Sequence, residues 1–95
     1  MRPHVRFEWD EAKRRRNLWR HGIDFAEVVE VFAHNPFTVE DDRYDYGERR
    51  FSTLALFRGR VVFIAHTQTE HLIRLISARW ATKNEEIIYF KEIAN

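Results

Sequence analysis

Between residues 48 and 80 the chain offers three strand-like runs in quick succession, at 48–57, 60–67 and 72–80. Arg58-Gly59 separates the first two and residues 68–71 the last two. A two-residue gap ending in glycine suits a tight hairpin, so the three runs pair most simply as neighbouring antiparallel strands. The last of them contains I-R-L-I-S-A-R at 73–79. Successive side chains of a strand point to opposite faces. By that rule Arg74 lies with Ile76, Ala78 and Trp80, and Arg79 with Ile73, Leu75 and Ser77. An otherwise apolar strand then carries a permanent charge on each face, unless one arginine reaches an edge or a bulge shifts the parity between them.

The flanking segments supply helices. Residues 5–9 form a short candidate strand, after which Asp10 stands as N-cap to a helix ending at His21, with Gly22 at C′. Asp24 and Glu27 form a D-x-x-E capping box, stapled by Ile23 and Val28. Phe25, Val28, Val29 and Phe32 make one helical face, closed by Asn35-Pro36. Residues 40–48 (E-D-D-R-Y-D-Y-G-E) carry too much charge for a core and read as a loop. Thr82 and Glu85 make a second capping box, starting a C-terminal helix near Lys83 that is expected to bury Ile87, Phe90 and Ile93. The whole predicts a single α+β domain over residues 1–95, an antiparallel sheet with helices packed on one face and a C-terminal helix.

Composition narrows the class. The chain has no cysteine, so neither a disulfide framework nor a thiolate metal site is available. Its start lacks the apolar centre of a signal peptide, and the run at 61–65 is too short to span a bilayer. A soluble, cytoplasmic protein is expected. The net charge of +1 hides an uneven distribution. Residues 1–22 hold seven Lys or Arg against three Asp or Glu, residues 23–48 one against eight, and residues 49–83 seven against one. Basic territories of this kind suit a polyanion, or are simply solvated faces.

Several residues stand where chemistry is possible. Glu48, Arg50 and Ser52 share one face of their strand, opposite Phe51, Ala55 and Phe57. His66 ends the apolar run V-V-F-I-A-H, and a strand-end histidine among arginines can act as acid or base near neutral pH, or be merely a satisfied core group. On the first helix Lys13, Asn17 and His21 form an i, i+4, i+8 stripe with Arg16 and Arg20 beside it, a face suited to a phosphate backbone or to solvent. Trp9, Trp19 and Trp80 are expected in core or edge packing. Glu40, Asp41, Asp42 and Asp45 raise a metal nuclease, but neighbouring loop residues do not naturally converge and no D-x-D-x-D-G pattern is present. Glycine-rich phosphate loops, nucleophile elbows and H-E-x-x-H are missing too.

F-E-W-D-E-A-K at 7–13, Asn17, R-H-G-I-D-F at 20–25, G-E-R-R-F at 47–51, His66-Thr67 and I-R-L-I-S-A-R at 73–79 resemble the BrnT toxins of bacterial type II toxin–antitoxin modules. The resemblance runs from Phe7 to about Tyr89. It implies a RelE-like fold, ribonuclease activity that stalls translation, and a cognate BrnA-type antitoxin. Since no convergent carboxylate set is evident, cleavage is expected to need neither metal nor cofactor. The antitoxin carries a ribbon-helix-helix domain, so operator DNA is reached only through it, and no membrane is involved. By motif position the resemblance carries over Lys13, Asn17, His21, Glu48, Arg50, Arg74, Ser77 and Arg79. Arg49 departs from the pattern, falling where an acidic residue is frequent. The expected reaction set is Glu48, Arg50, His66, Arg74 and Arg79, and the expected RNA-binding set is Lys13, Arg16, Asn17, Arg20, His21 and Ser77. The competing reading is a non-catalytic nucleic-acid- or protein-binding module.

Overall fold

The computed structural model describes residues 4–94. Strand β1 (Arg6–Glu8) leads into helix α1 (Glu11–His21), helix α2 (Phe25–Val28) and a 3₁₀ segment (Val29–Ala33). Strands β2 (Phe37–Asp41), β3 (Arg50–Phe57), β4 (Arg60–Gln68) and β5 (Leu72–Trp80) follow, and helix α3 (Lys83–Ala94) closes the described chain. The sheet order is β1-β5-β4-β3-β2, antiparallel throughout except that β1 lies parallel to β5.

The expected punctuation is present. The Asp10 carboxylate accepts from the Lys13 N–H at 3.0 Å, and Gly22 takes φ +73° while its N–H donates to the Leu18 carbonyl. Arg58 and Gly59 both take positive φ, the backbone a two-residue hairpin needs. The Thr82–Glu85 box is reciprocal: Thr82 N–H donates to Glu85 at 2.8 Å, and Glu85 N–H to the Thr82 hydroxyl at 3.2 Å. The Asp24–Glu27 box is only half made. Asp24 caps the Ala26 N–H, while the Glu27 carboxylate turns away to Arg58 at 2.8 Å.

Three expectations need correction. The segment read as a loop at 40–48 begins inside β2, an edge strand that pairs with β3 and ends at Asp41. Charged residues are tolerated there because an edge leaves them in water. The second helix changes to 3₁₀ after Val28, and its three-residue turn brings Phe25, Val28 and Val31 to the core while Val29 and Phe32 flank them. Helix α3 buries Tyr89, not the expected stripe: Ile87, Phe90 and Ile93 are all exposed.

The sheet has two unlike faces. One carries the main core, where Ala55, Phe57, Val62, Ile64, Ile73, Leu75 and Ala78 pack with Ile23, Phe25, Val28 and Val31. The other carries a small cluster of Leu54, Val61 and Tyr89 with Phe37 and Phe63, so α3 covers only one end of it. The remainder of that second face stays open.

Candidate active site on the open sheet face

A bulge decides where the two arginines of β5 point. Phe63 pairs with Arg79 and Thr67 with Arg74, so four steps along β4 match five along β5, with the irregularity at Ala65/His66. An even count on β4 returns to the same face, which places Arg74 and Arg79 together. Both lie opposite Ile73, Leu75 and Ala78, on the open side. The register on β3 sets Arg50 and Ser52 there as well, because Ala55 and Phe57 face the main core.

At one end of this face Glu48 stands between two guanidinium groups, 2.7 Å from Arg74 and 3.3 Å from Arg50. All three side chains are partly exposed, so the cluster is open to a ligand. Arg50 also lies over the ring of Tyr46 at 4.2 Å, and the Tyr46 hydroxyl donates to Asp41 at 3.0 Å. Burial and the Asp41 carboxylate push the Tyr46 hydroxyl above its ordinary pKa, which keeps it protonated. Tyr46 is a member of the site that the sequence did not suggest, since nothing local marks a loop tyrosine as the shelf for a strand arginine.

Toward the other end, Arg79 makes a two-pronged bond to Glu85 at 2.8 and 3.0 Å and lies over Phe63 at 4.1 Å. This hydrogen-bonded pair holds the Glu85 carboxyl below its ordinary range. Arg79, Ser52, Phe63 and Glu85 help line a cavity of about 410 Å³ beside β2 and α3. Arg74 and Arg79 are five residues apart in the chain, so roughly 15 Å of extended backbone separates the two ends.

His66 belongs to neither end, which corrects its expected catalytic place. Its side chain is fully buried on the helix-covered face, stacked on Phe51 and meeting the edge of Phe32. Its Nε2 lies 2.7 Å from the Thr53 hydroxyl, itself 2.7 Å from that of Thr38, while Nδ1 reaches the Thr67 carbonyl at a loose 3.4 Å. Burial pulls its pKa down to about 4, so the ring is neutral at pH 7. This histidine closes a buried hydrogen-bond chain on the face opposite the arginines.

The expected RNA-binding residues do come together. Lys13, Arg16, Asn17, Arg20, His21 and Ser77, with the bulged Ile76, line a second pocket of about 190 Å³ between α1 and β5, with no carboxylate in its wall. Asn17 is buried within it. Its amide donates to the carbonyls of Ile23 (3.0 Å) and Ala78 (2.9 Å) and accepts from the Ala78 N–H at 3.0 Å. Asn17 thus does for β5 what a neighbouring strand would do once β1 has ended at Glu8. That engagement leaves it no donor for RNA, and its role is to dock α1.

The acidic segment does not assemble as a metal site. Glu40 pairs with Arg49, and Asp41 with Arg43 and Tyr46. Among the described residues no three His, Asp or Glu side chains converge. Nor, among the described residues, is any helix long and apolar enough to cross a membrane.

A five-stranded sheet with helices on one face, a C-terminal helix on the other and an arginine-rich open surface defines a small RelE-like α+β domain. The family model described as the ribonuclease toxin BrnT of type II toxin–antitoxin systems matches residues 9–85, and the chain belongs to that family. The fold is similar to that of the Brucella abortus ribonuclease toxin BrnT, known from a crystal structure at 1.1 Å. The TM-score is 0.68 at 24% identity, covering 83% of this chain and 99% of that one. No curated protein sequence matches.

Proposed function

We propose that the open face cleaves RNA by transesterification without a metal, with Glu48, Arg50 and Arg74 as the reacting centre. The observation that carries this reading is the placement of one carboxylate between two guanidinium groups, 2.7 and 3.3 Å away. Guanidinium is charged at every relevant pH and grips phosphate oxygens through paired hydrogen bonds. A phosphodiester seated on Arg50 and Arg74 would bring the neighbouring ribose 2′-hydroxyl to Glu48. Glu48 takes that proton as the 2′-oxygen bonds to phosphorus, and the bond from phosphorus to the 5′-oxygen breaks. The two arginines balance the charge that grows on phosphorus, and water returns a proton to the departing 5′-oxygen. The products are a 2′,3′-cyclic phosphate and a 5′-hydroxyl. Arg79 grips a phosphate further along the strand once it is released from Glu85.

Metal independence is supported by the pairing of Glu40, Asp41 and Glu48 with arginines, whose cations stand where an ion would have to bind. In the cell the activity would be held in check by a BrnA-type ribbon-helix-helix antitoxin, through which the pair reaches operator DNA. The test is cleavage of RNA by the purified protein in excess EDTA, with the 3′ ends of the products analysed. Cyclic phosphate ends are expected. Loss of cleavage in EDTA with 3′-hydroxyl products would favour a metal nuclease, and binding without cleavage a non-catalytic module.

A further inference from the structure

Trp19 is 86% exposed on α1, against the expectation that it packs in the core or at an edge. A whole indole left in water is a large apolar surface with no partner among the described residues, and such a surface marks a contact. Its neighbours say of what kind. Arg16 precedes it by one helical turn, so the two side chains are neighbours on the helix surface, and Arg16 lines, with Arg20, the cationic pocket between α1 and β5. That pocket is continuous with the reaction face at one residue, Ser77. Ser77 lines the pocket, and its pairing with Ala65 places it on the same side of β5 as Arg74 and Arg79. From Arg74 to Ser77 is three residues of strand, roughly 10 Å, a short reach for extended single-stranded RNA.

Resting on the ribonuclease reading, we infer that the substrate strand leaves the Glu48 centre across Ser77, lays phosphates on Lys13, Arg16 and Arg20, and stacks a base on Trp19. A cationic groove with an aromatic platform is the common way of holding single strands without reading their sequence, because every base has a π-face and every nucleotide a phosphate. The site would therefore accept any base, with preference set by stacking strength. An antitoxin could use the same indole as an anchor, but an antitoxin contact does not require the pocket to be free of carboxylates and joined to the reaction face.

The test uses 2′-O-methyl oligonucleotides, which cannot be cut, in lengths from two to eight nucleotides. Wild-type affinity should rise with length, and the longer oligonucleotides should quench tryptophan fluorescence. Trp19→Ala should weaken binding of the longest oligonucleotide by about fivefold to a hundredfold, while Trp19→Phe, which keeps a platform, stays close to wild type. Since the side chain is exposed, both variants should fold, which circular dichroism checks. Unchanged binding by Trp19→Ala would overturn the inference. So would a variant that binds oligonucleotides normally but escapes neutralisation by the antitoxin, which would assign the indole to a protein interface. Wild-type protein that binds the oligonucleotides but never cuts unmodified RNA of the same sequence would refute the ribonuclease reading instead, so binding by Trp19→Ala and cleavage by wild type tell the two failures apart.

Discussion

Glu48 and Arg74 lie 26 positions apart in the chain and 2.7 Å apart in the fold. The pair spans the sheet from the approach to β3 across to β5, and Arg50 closes on the same carboxylate from β3. If this carboxylate is the base, Glu48→Gln keeps the size and hydrogen-bonding oxygen but cannot take a proton. Cleavage should fall by roughly a hundredfold to ten-thousandfold, with RNA affinity kept or improved because a competing negative charge has gone. Cleavage within tenfold of wild type would remove Glu48 from that role.

Arg79 and Glu85 make the second prediction. The two-pronged pair occupies the guanidinium that a phosphate would use, so Glu85→Gln should raise RNA affinity by roughly twofold to fivefold. Arg79→Ala should lower it by roughly tenfold to a hundredfold, and Arg79→Lys should not restore it, because an ammonium lacks the planar fork. Glu85→Gln binding RNA more weakly than wild type would mean that the pair only anchors the start of α3.

His66 sets a pH dependence of stability. Its folded pKa of about 4 is below the ordinary 6.5, so between those values the unfolded chain binds the extra proton. Stability is therefore complete above about pH 6.5 and declines as pH falls toward 4, with roughly 2 kcal/mol lost between pH 7 and pH 5. Urea midpoints at the two pH values measure this. His66→Gln should lower stability at pH 7, yet show less of the decline. If the pH dependence of His66→Gln equals that of wild type, the histidine is not its source.

Asn17 gives a stability prediction. Asn17→Ala would strand the Ala78 N–H and two carbonyls at a buried edge, costing about 2–4 kcal/mol. Asn17→Asp should be no better, since a carboxylate can still accept from the Ala78 N–H but faces those carbonyls with a buried charge. Denaturant unfolding decides the matter, and a loss below 0.5 kcal/mol, a surface-substitution value, would show that α1 is held by other contacts.

The sequence reached the elements whose signals are local. Caps at Asp10 and Thr82, the left-handed Gly22 and the Arg58-Gly59 turn each depend on a few adjacent residues, and each formed as read. The arginines of β5 were equally visible as an anomaly, because a charge in an apolar run needs no neighbour to be noticed. β2 escaped because Glu40 and Asp41 look like loop residues until Arg49 pairs with Glu40 and Arg50 lies opposite Asp41. The three exposed groups of α3 followed the helical period faithfully, but the sheet offered them no surface.

What the sequence alone determined, then, was a list of components: three antiparallel strands, their flanking helices, and the arginines and carboxylate able to handle a phosphate. Tertiary structure decided which of them meet. A bulge opposite Ala65/His66 turned Arg74 and Arg79 to one face, and the same pairing buried His66 against Phe32 on the other. Asn17 became a substitute strand, and Trp19 was left in water. Alternation along a strand is a local rule, but its phase is not: one extra residue reverses it, and that residue is placed only by pairing with another strand.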